Sequence, residues 1–174
     1  MSPSQSAALP IAYMFLRILI VLNWIVGAGI FVLLVGIMVA PNWTFGALAI
    51  PHSLEAEPVI TGLRAMGVLG LAGIPLNNAV LKRLVAIAVT VRRGDPFVSV
   101  NAYRLEAIAW MLFALQLLSL LVGAVGKAIS TPAHSFHVGG SFSPAGWLAV
   151  ILTFVLARIF AEGTLMRADL EGTV

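Results

Sequence analysis

Ile18–Ala40 is a run of 23 residues without a single charge, broken only by Asn23. A bilayer core about 30 Å thick calls for about 20 consecutive apolar residues in a helix, whereas helices of soluble domains rarely need so long an unbroken stretch. Three more segments of the same kind follow. One starts near Val59, after Glu55, Glu57 and Pro58, and runs to Leu81 with Lys82-Arg83 at its end. Ala107–Gly126 is an uncharged run of 20 residues between Glu106 and Lys127. The last starts at Ser143-Pro144, a capping residue followed by a proline suited to the first helical position, and continues to about Leu165. Composition agrees with this reading. Of 174 residues 60% are hydrophobic and 10% charged, with mean hydropathy +1.04. A soluble domain carries about 25% charged residues, and a chain this short has too little interior to hide so much apolar surface. A soluble enzyme is excluded. The expected fold class is all-α, a polytopic membrane four-helix bundle in a single domain over 1–174. Its spans are placed at about 17–40, 59–83 extending to 93, 103–127 and 144–165.

Basic residues near span ends set orientation. With the N-terminus in the cytoplasm, the inner side holds Arg17, Lys82, Arg83, Arg92, Arg93, Arg104, Arg158 and Arg167, while the outer side holds Arg64 and Lys127. The reverse orientation inverts that ratio, so both termini are expected inside. Met1–Pro10 has no Lys or Arg, and the apolar run after it exceeds a signal-peptide core, so it reads as a retained first span. The net charge of +3 and pI near 10.0 are then topology markers, and no direct nucleic-acid partner is expected.

The second segment is longer than one crossing. Leu84–Val91 stays apolar beyond Lys82-Arg83, and no breaker occurs before Gly94-Asp95-Pro96. A helix from Val59 to Arg93 would have a length of about 52 Å. It must project beyond the bilayer core or bend, and Pro75, which cannot donate to the carbonyl of Leu71, offers a place for a kink. The outward connections Pro41–Pro58 and Gly126–Phe142 read as loops.

Several residue groups could carry function, and each has a plainer use. Gly67, Gly70 and Gly73, and Ala157 with Ala161, suit close helix packing within the chain or a homodimer seam. Asn23, Asn77, Asn78, Gln116 and Ser119 are polar groups at lipid depth, which call for interhelical hydrogen bonds or a small polar cavity. Asn77-Asn78 beside Pro75 is where a cavity would form. Arg158 and Glu162 lie four apart, can pair, and can reach the interface as anchors; Arg64 is read the same way. No span centre holds a carboxylate, which argues against a proton-coupled transporter. His52, His134 and His137 are weak metal-ligand candidates without supporting context. Cysteine is absent, so thiol chemistry is excluded, no catalytic motif occurs, and neither enzymatic activity nor a cofactor is expected.

The most distinctive stretch is Val91–Leu105, VRRGDPFVSVNAYRL. Arg92-Arg93 suit a helix C-terminus, Gly94 its cap, Asp95-Pro96 a turn, Phe97 a return to the interface, and Asn101 the cap of the next helix. With Arg104 they form the candidate partner-binding surface. This element, together with the ending Arg167-Ala168-Asp169-Leu170-Glu171-Gly172-Thr173-Val174, resembles the bacterial domain-of-unknown-function family 2975. Its members are similar four-span proteins with an RG-x-PF…N…RL element after a long second helix and an acidic tail ending in a TV-like pair. The likeness covers essentially the whole chain. It carries no activity with it. It implies a bacterial inner membrane and, because members are often encoded beside a small Cro/CI-type helix-turn-helix regulator, a partner of that kind. Glu171, Thr173 and Val174 join the candidate surface on this ground. The acidic tail and the basic connection lie on the same side, so the tail is expected to dock there or be displaced by a partner. The leading expectation is a regulatory or partner-binding membrane protein. The alternatives are a small-ligand carrier using Asn77, Asn78 and Gln116, or a structural subunit of a larger membrane complex.

Overall fold

A computed structural model describes residues 3–47, 57–130 and 142–172, with side chains described over 11–47, 57–130 and 142–167. The described residues form five helices and no strand: α1 Pro3–Val39, α2 Pro41–Ala47, α3 Glu57–Arg92, α4 Ser99–Ile129 and α5 Pro144–Gly172. Four of them, all but α2, are long and apolar enough to cross a membrane, and a helical bundle fits this arrangement. Large apolar side chains are exposed along all four, among them Ile18, Val21, Trp24, Val68, Leu121, Ile151 and Val155. Water would penalise such a surface heavily, and lipid does not.

The expected extension of the second span is present. α3 runs unbroken for 36 residues through Pro75 and past Lys82-Arg83. Arg83 stays within the helix by donating to the Ala79 carbonyl at 3.3 Å, one turn back. Several bounds differ from the sequence reading: α1 begins at Pro3 and not near 17, and α5 continues to Gly172 beyond 165. The start of the connection between α1 and α3 is helical: Pro41 opens α2 at a position that tolerates its missing N–H, and Phe45 is fully buried. Hydropathy cannot show so short a helix, because seven residues carry too little periodicity. The third span also begins earlier than its apolar run, at Ser99.

The contacts divide the chain into two compact units, each made of several segments. Unit 2 comprises Asn23–Pro75 and Leu115–Ser143. Here α1 and α3 meet over small residues. A Cβ on Gly27 would lie 3.0 Å from Ile74 Cγ2, and one on Gly67 would lie 2.9 Å from Leu34 Cδ1. Gly70 faces Ile30, and Gly73 faces Leu115 and Leu118 of α4. The three-residue glycine spacing therefore serves close packing within one chain. The amide of Asn23, buried in the first apolar run, donates to the Ile74 carbonyl at 3.1 Å. Arg64 donates to the Ile37 carbonyl at 3.1 Å, satisfying one of the acceptors that the end of α1 leaves open. The side chain thereby ties α3 to the end of α1.

Unit 1 comprises Met1–Leu22, Leu76–Ala114 and Pro144–Val174. Its core includes Val80, Leu81, Leu105, Ile108, Ala109, Val150 and Ala157. Edge-to-face rings join α4 to α5: Trp110 to Phe154 with centroids 5.2 Å apart, and Phe113 to Trp147 at 5.7 Å. Such pairs add about 0.5–1.5 kcal/mol each beyond area burial.

Candidate functional site

The connection between α3 and α4 lies wholly within unit 1 and is held by bonds on both sides. α3 ends in a Schellman motif. The Asp95 N–H donates to the Thr90 carbonyl at 3.2 Å and the Gly94 N–H to the Val91 carbonyl at 3.0 Å. This pairing needs a left-handed residue, and Gly94 supplies it with φ of +82°. The sequence expectation for Gly94 is met in full.

Asn101 does not cap α4, contrary to expectation. The helix starts two residues earlier, so Asn101 sits inside its first turn and is fully buried. Its side chain reaches back across the connection. Nδ2 donates to Thr90 Oγ1 at 2.7 Å and to the Pro96 carbonyl at 2.9 Å, and Oδ1 accepts from Arg104 at 2.9 Å. Thr90 Oγ1 in turn donates to the Ile87 carbonyl at 2.7 Å. One amide thus ties the end of α3, the turn and the start of α4 together. Arg104 is a member of this network.

The connection is also fastened to α5. The Phe97 ring packs on Phe160 with centroids 5.2 Å apart, over the space left by Gly163. Arg167 forms an ion pair with Asp95. This pair joins the turn to α5, with the connection supplying the carboxylate and α5 the cation; the expected docking of the acidic tail on Arg92, Arg93 and Arg104 falls on side chains outside the described ones. The side chains of Asp169 and Glu171, and residues Thr173 and Val174, lie outside the described ones.

Arg92 and Arg93 stay exposed at the edge of this arrangement, beside Val89. Neither has a carboxylate partner among the described residues. Arg92 lies over the Tyr13 ring at 5.8 Å.

The other candidates are scattered. Asn77 is exposed and Asn78 buried, both in unit 1, while Gln116 is in unit 2. The Asn78 Oδ1 atom is buried without a partner among the described residues. Arg158 and Glu162 pair at 2.9 Å on an exposed face, beside an open cleft of about 480 Å³ lined by Tyr103, Glu106, Ala157 and Ala161. His52, His134 and His137 lie outside the described residues, and among the described ones no three potential ligands gather around a metal position.

Sequence reasoning missed Tyr13, Thr90, Phe160 and Gly163, and used Arg167 as a topology marker and part of the C-terminal ending without giving it a partner. Thr90 had a readable signal, being the one polar residue in Leu84–Val91. Phe160, Gly163 and Arg167 meet partners more than 60 residues away, as Tyr13 meets Arg92, and local pattern is silent on those. Comparison with protein-family models, with curated proteins and with solved structures gives no match.

Proposed function

We propose that this chain is a non-enzymatic multi-pass protein of the bacterial inner membrane that presents its α3–α4 connection to a cytoplasmic partner. The observation that carries this reading is the contrast within the connection. Its backbone is fixed by Gly94, Asn101, Phe97 and Asp95, yet the adjoining Arg92 and Arg93 project without a carboxylate among the described residues. Prior ordering of a surface lowers the entropy lost on binding. Two free guanidiniums on such a surface suit an acidic patch on a partner protein. Orientation is supported by charge. The segments of unit 1 carry Arg17, Lys82, Arg83, Arg92, Arg93, Arg104, Arg158 and Arg167, against Arg64 and Lys127 in unit 2. Under the positive-inside rule unit 1 then faces the cytoplasm with both termini. The resemblance to family 2975 points to a small helix-turn-helix regulator as the partner's class.

Crosslinking in native membranes followed by purification in mild detergent tests the reading. An acidic cytoplasmic protein should be recovered with wild type. The Arg93→Glu variant should reduce that recovery about tenfold or more, since it turns an attraction into a like-charge repulsion. Recovery of the same partner at wild-type level with Arg93→Glu contradicts the proposal. A membrane-embedded partner insensitive to the change favours a subunit role instead.

A small-ligand carrier is second. Its one supporting observation is the unpartnered Asn78 Oδ1. A single water satisfies one acceptor, so this observation carries less weight.

A further inference from the structure

Two cations share one aromatic ring in unit 1. The Arg17 guanidinium lies 5.3 Å from the Tyr13 ring centroid, and that of Arg92 lies 5.8 Å from it. Arg17 also donates to the Tyr13 hydroxyl through Nη2 at 2.7 Å and Nε at 3.1 Å. Neither arginine has a carboxylate partner among the described residues. The ring gives each cation a favourable face or edge, but it does nothing to cancel the repulsion between them. An anion between or beside the two removes that repulsion. Because the Tyr13 oxygen accepts from Arg17 Nε and Nη2, its own hydrogen is left to donate, and the cluster holds that phenol donor, the remaining N–H groups of Arg17 and the guanidinium of Arg92 around one ring. Planar guanidinium forks match phosphate oxygens in pairs.

Position decides which phosphate. Tyr13 and Arg17 stand near the start of the first membrane-length stretch, Ile11–Val39, and Arg92 ends the second, Glu57–Arg92. Tyrosine and arginine at the ends of spans lie at the headgroup level of a bilayer. The phosphates concentrated there belong to lipids, and those of net negative charge are drawn most strongly to a basic cluster.

We propose that Tyr13, Arg17 and Arg92 form a binding site for the phosphate headgroup of an anionic phospholipid. The site shares Arg92 with the partner-binding reading but is centred on Tyr13 and Arg17, which that reading does not use, whereas the partner test turns on Arg93. A lipid bound here bridges the first helix to the end of α3 and so braces the edge of the connection.

The test titrates short-chain phosphatidylglycerol, short-chain phosphatidylcholine and inorganic phosphate against the full chain in a neutral detergent, reading the thermal midpoint. Wild type should be stabilised by phosphatidylglycerol at concentrations about fivefold or more below those needed for phosphatidylcholine, and inorganic phosphate should have no comparable effect. Arg17→Gln/Arg92→Gln should weaken the phosphatidylglycerol effect about tenfold or more, since it removes both charge-assisted hydrogen-bond donors to the bound phosphate. Tyr13→Leu, which removes the shared ring but neither charge, should weaken it as well. Arg93→Gln, one residue away and off the ring, should stay within about twofold of wild type. Equal response to the two lipids in wild type overturns the proposal without any variant. So does an Arg93→Gln loss as large as that of the double variant, or a full response to inorganic phosphate alone.

Discussion

Replacing Asn101 with alanine should destabilise the protein by about 3–5 kcal/mol and open the α3–α4 connection. The side chain is fully buried. It donates to Thr90 Oγ1 and the Pro96 carbonyl, and accepts from Arg104. Two neutral hydrogen bonds contribute about 1 kcal/mol each and a charge-assisted one about 1.5–3 kcal/mol. Alanine removes all three and leaves the Pro96 carbonyl and the Arg104 fork to find water. Asn101→Asp separates the parts. An aspartate still accepts from Arg104, but it sets an acceptor against the Pro96 carbonyl, so it should recover some of the loss and not all of it. Thr90→Val shares a bond with Asn101. The Thr90→Val/Asn101→Ala double variant should therefore cost less than the two single losses added together. Unfolding in mixed micelles measures the stabilities, and limited proteolysis reads the connection directly. An Asn101→Ala protein within about 0.5 kcal/mol of wild type, with an uncut connection, would show that the amide does not hold the turn.

Gly62→Leu should be destabilising by about 1–3 kcal/mol through overpacking. Gly62 and Ile129 belong to unit 2, where α3 and the end of α4 meet closely. A Cβ at Gly62 would overlap Ile129 Cγ2 and lie 3.1 Å from its Cδ1. Both residues are buried, so the isoleucine has little room to retreat. The sign of the effect should depend on that neighbour. Ile129→Ala alone leaves a cavity and should cost about 2–5 kcal/mol. In that background the added leucine fills the vacated space, and Gly62→Leu should become neutral or stabilising. Equal losses from Gly62→Leu in both backgrounds would place the clash elsewhere.

How much of this was readable before the structure depends on the range of each signal. The four membrane-length helices, the extension of α3 past Lys82-Arg83 and the Gly94 cap were legible, because hydropathy, the absence of breakers and capping chemistry all act within a few residues. Asn101 was recognised as special but given the wrong task. Asparagine is a common cap, and a cap is the only role that local sequence can suggest. Its actual bonds run to residues on the preceding helix and turn. The sequence reading gave Arg167 no partner, yet an ion pair joins it to Asp95. Charge counts give the balance of a region but not which pairs meet. Tyr13 had no signal, because a tyrosine at the start of a span is ordinary until Arg17 and Arg92 are found over it. The short helix α2 was read as loop for want of length.

The central claim is that the connection is a held surface on the cytoplasmic face. It can be tested directly because the chain has no cysteine, so a single introduced thiol reports without background. Arg93→Cys, on the exposed edge of the connection, and Asn42→Cys, exposed on α2, would each be treated with a membrane-impermeant maleimide in intact cells and again after permeabilisation. Asn42→Cys should be labelled in intact cells, while Arg93→Cys should be labelled only once the membrane is opened. Labelling of Arg93→Cys in intact cells would turn the connection outward and contradict the account.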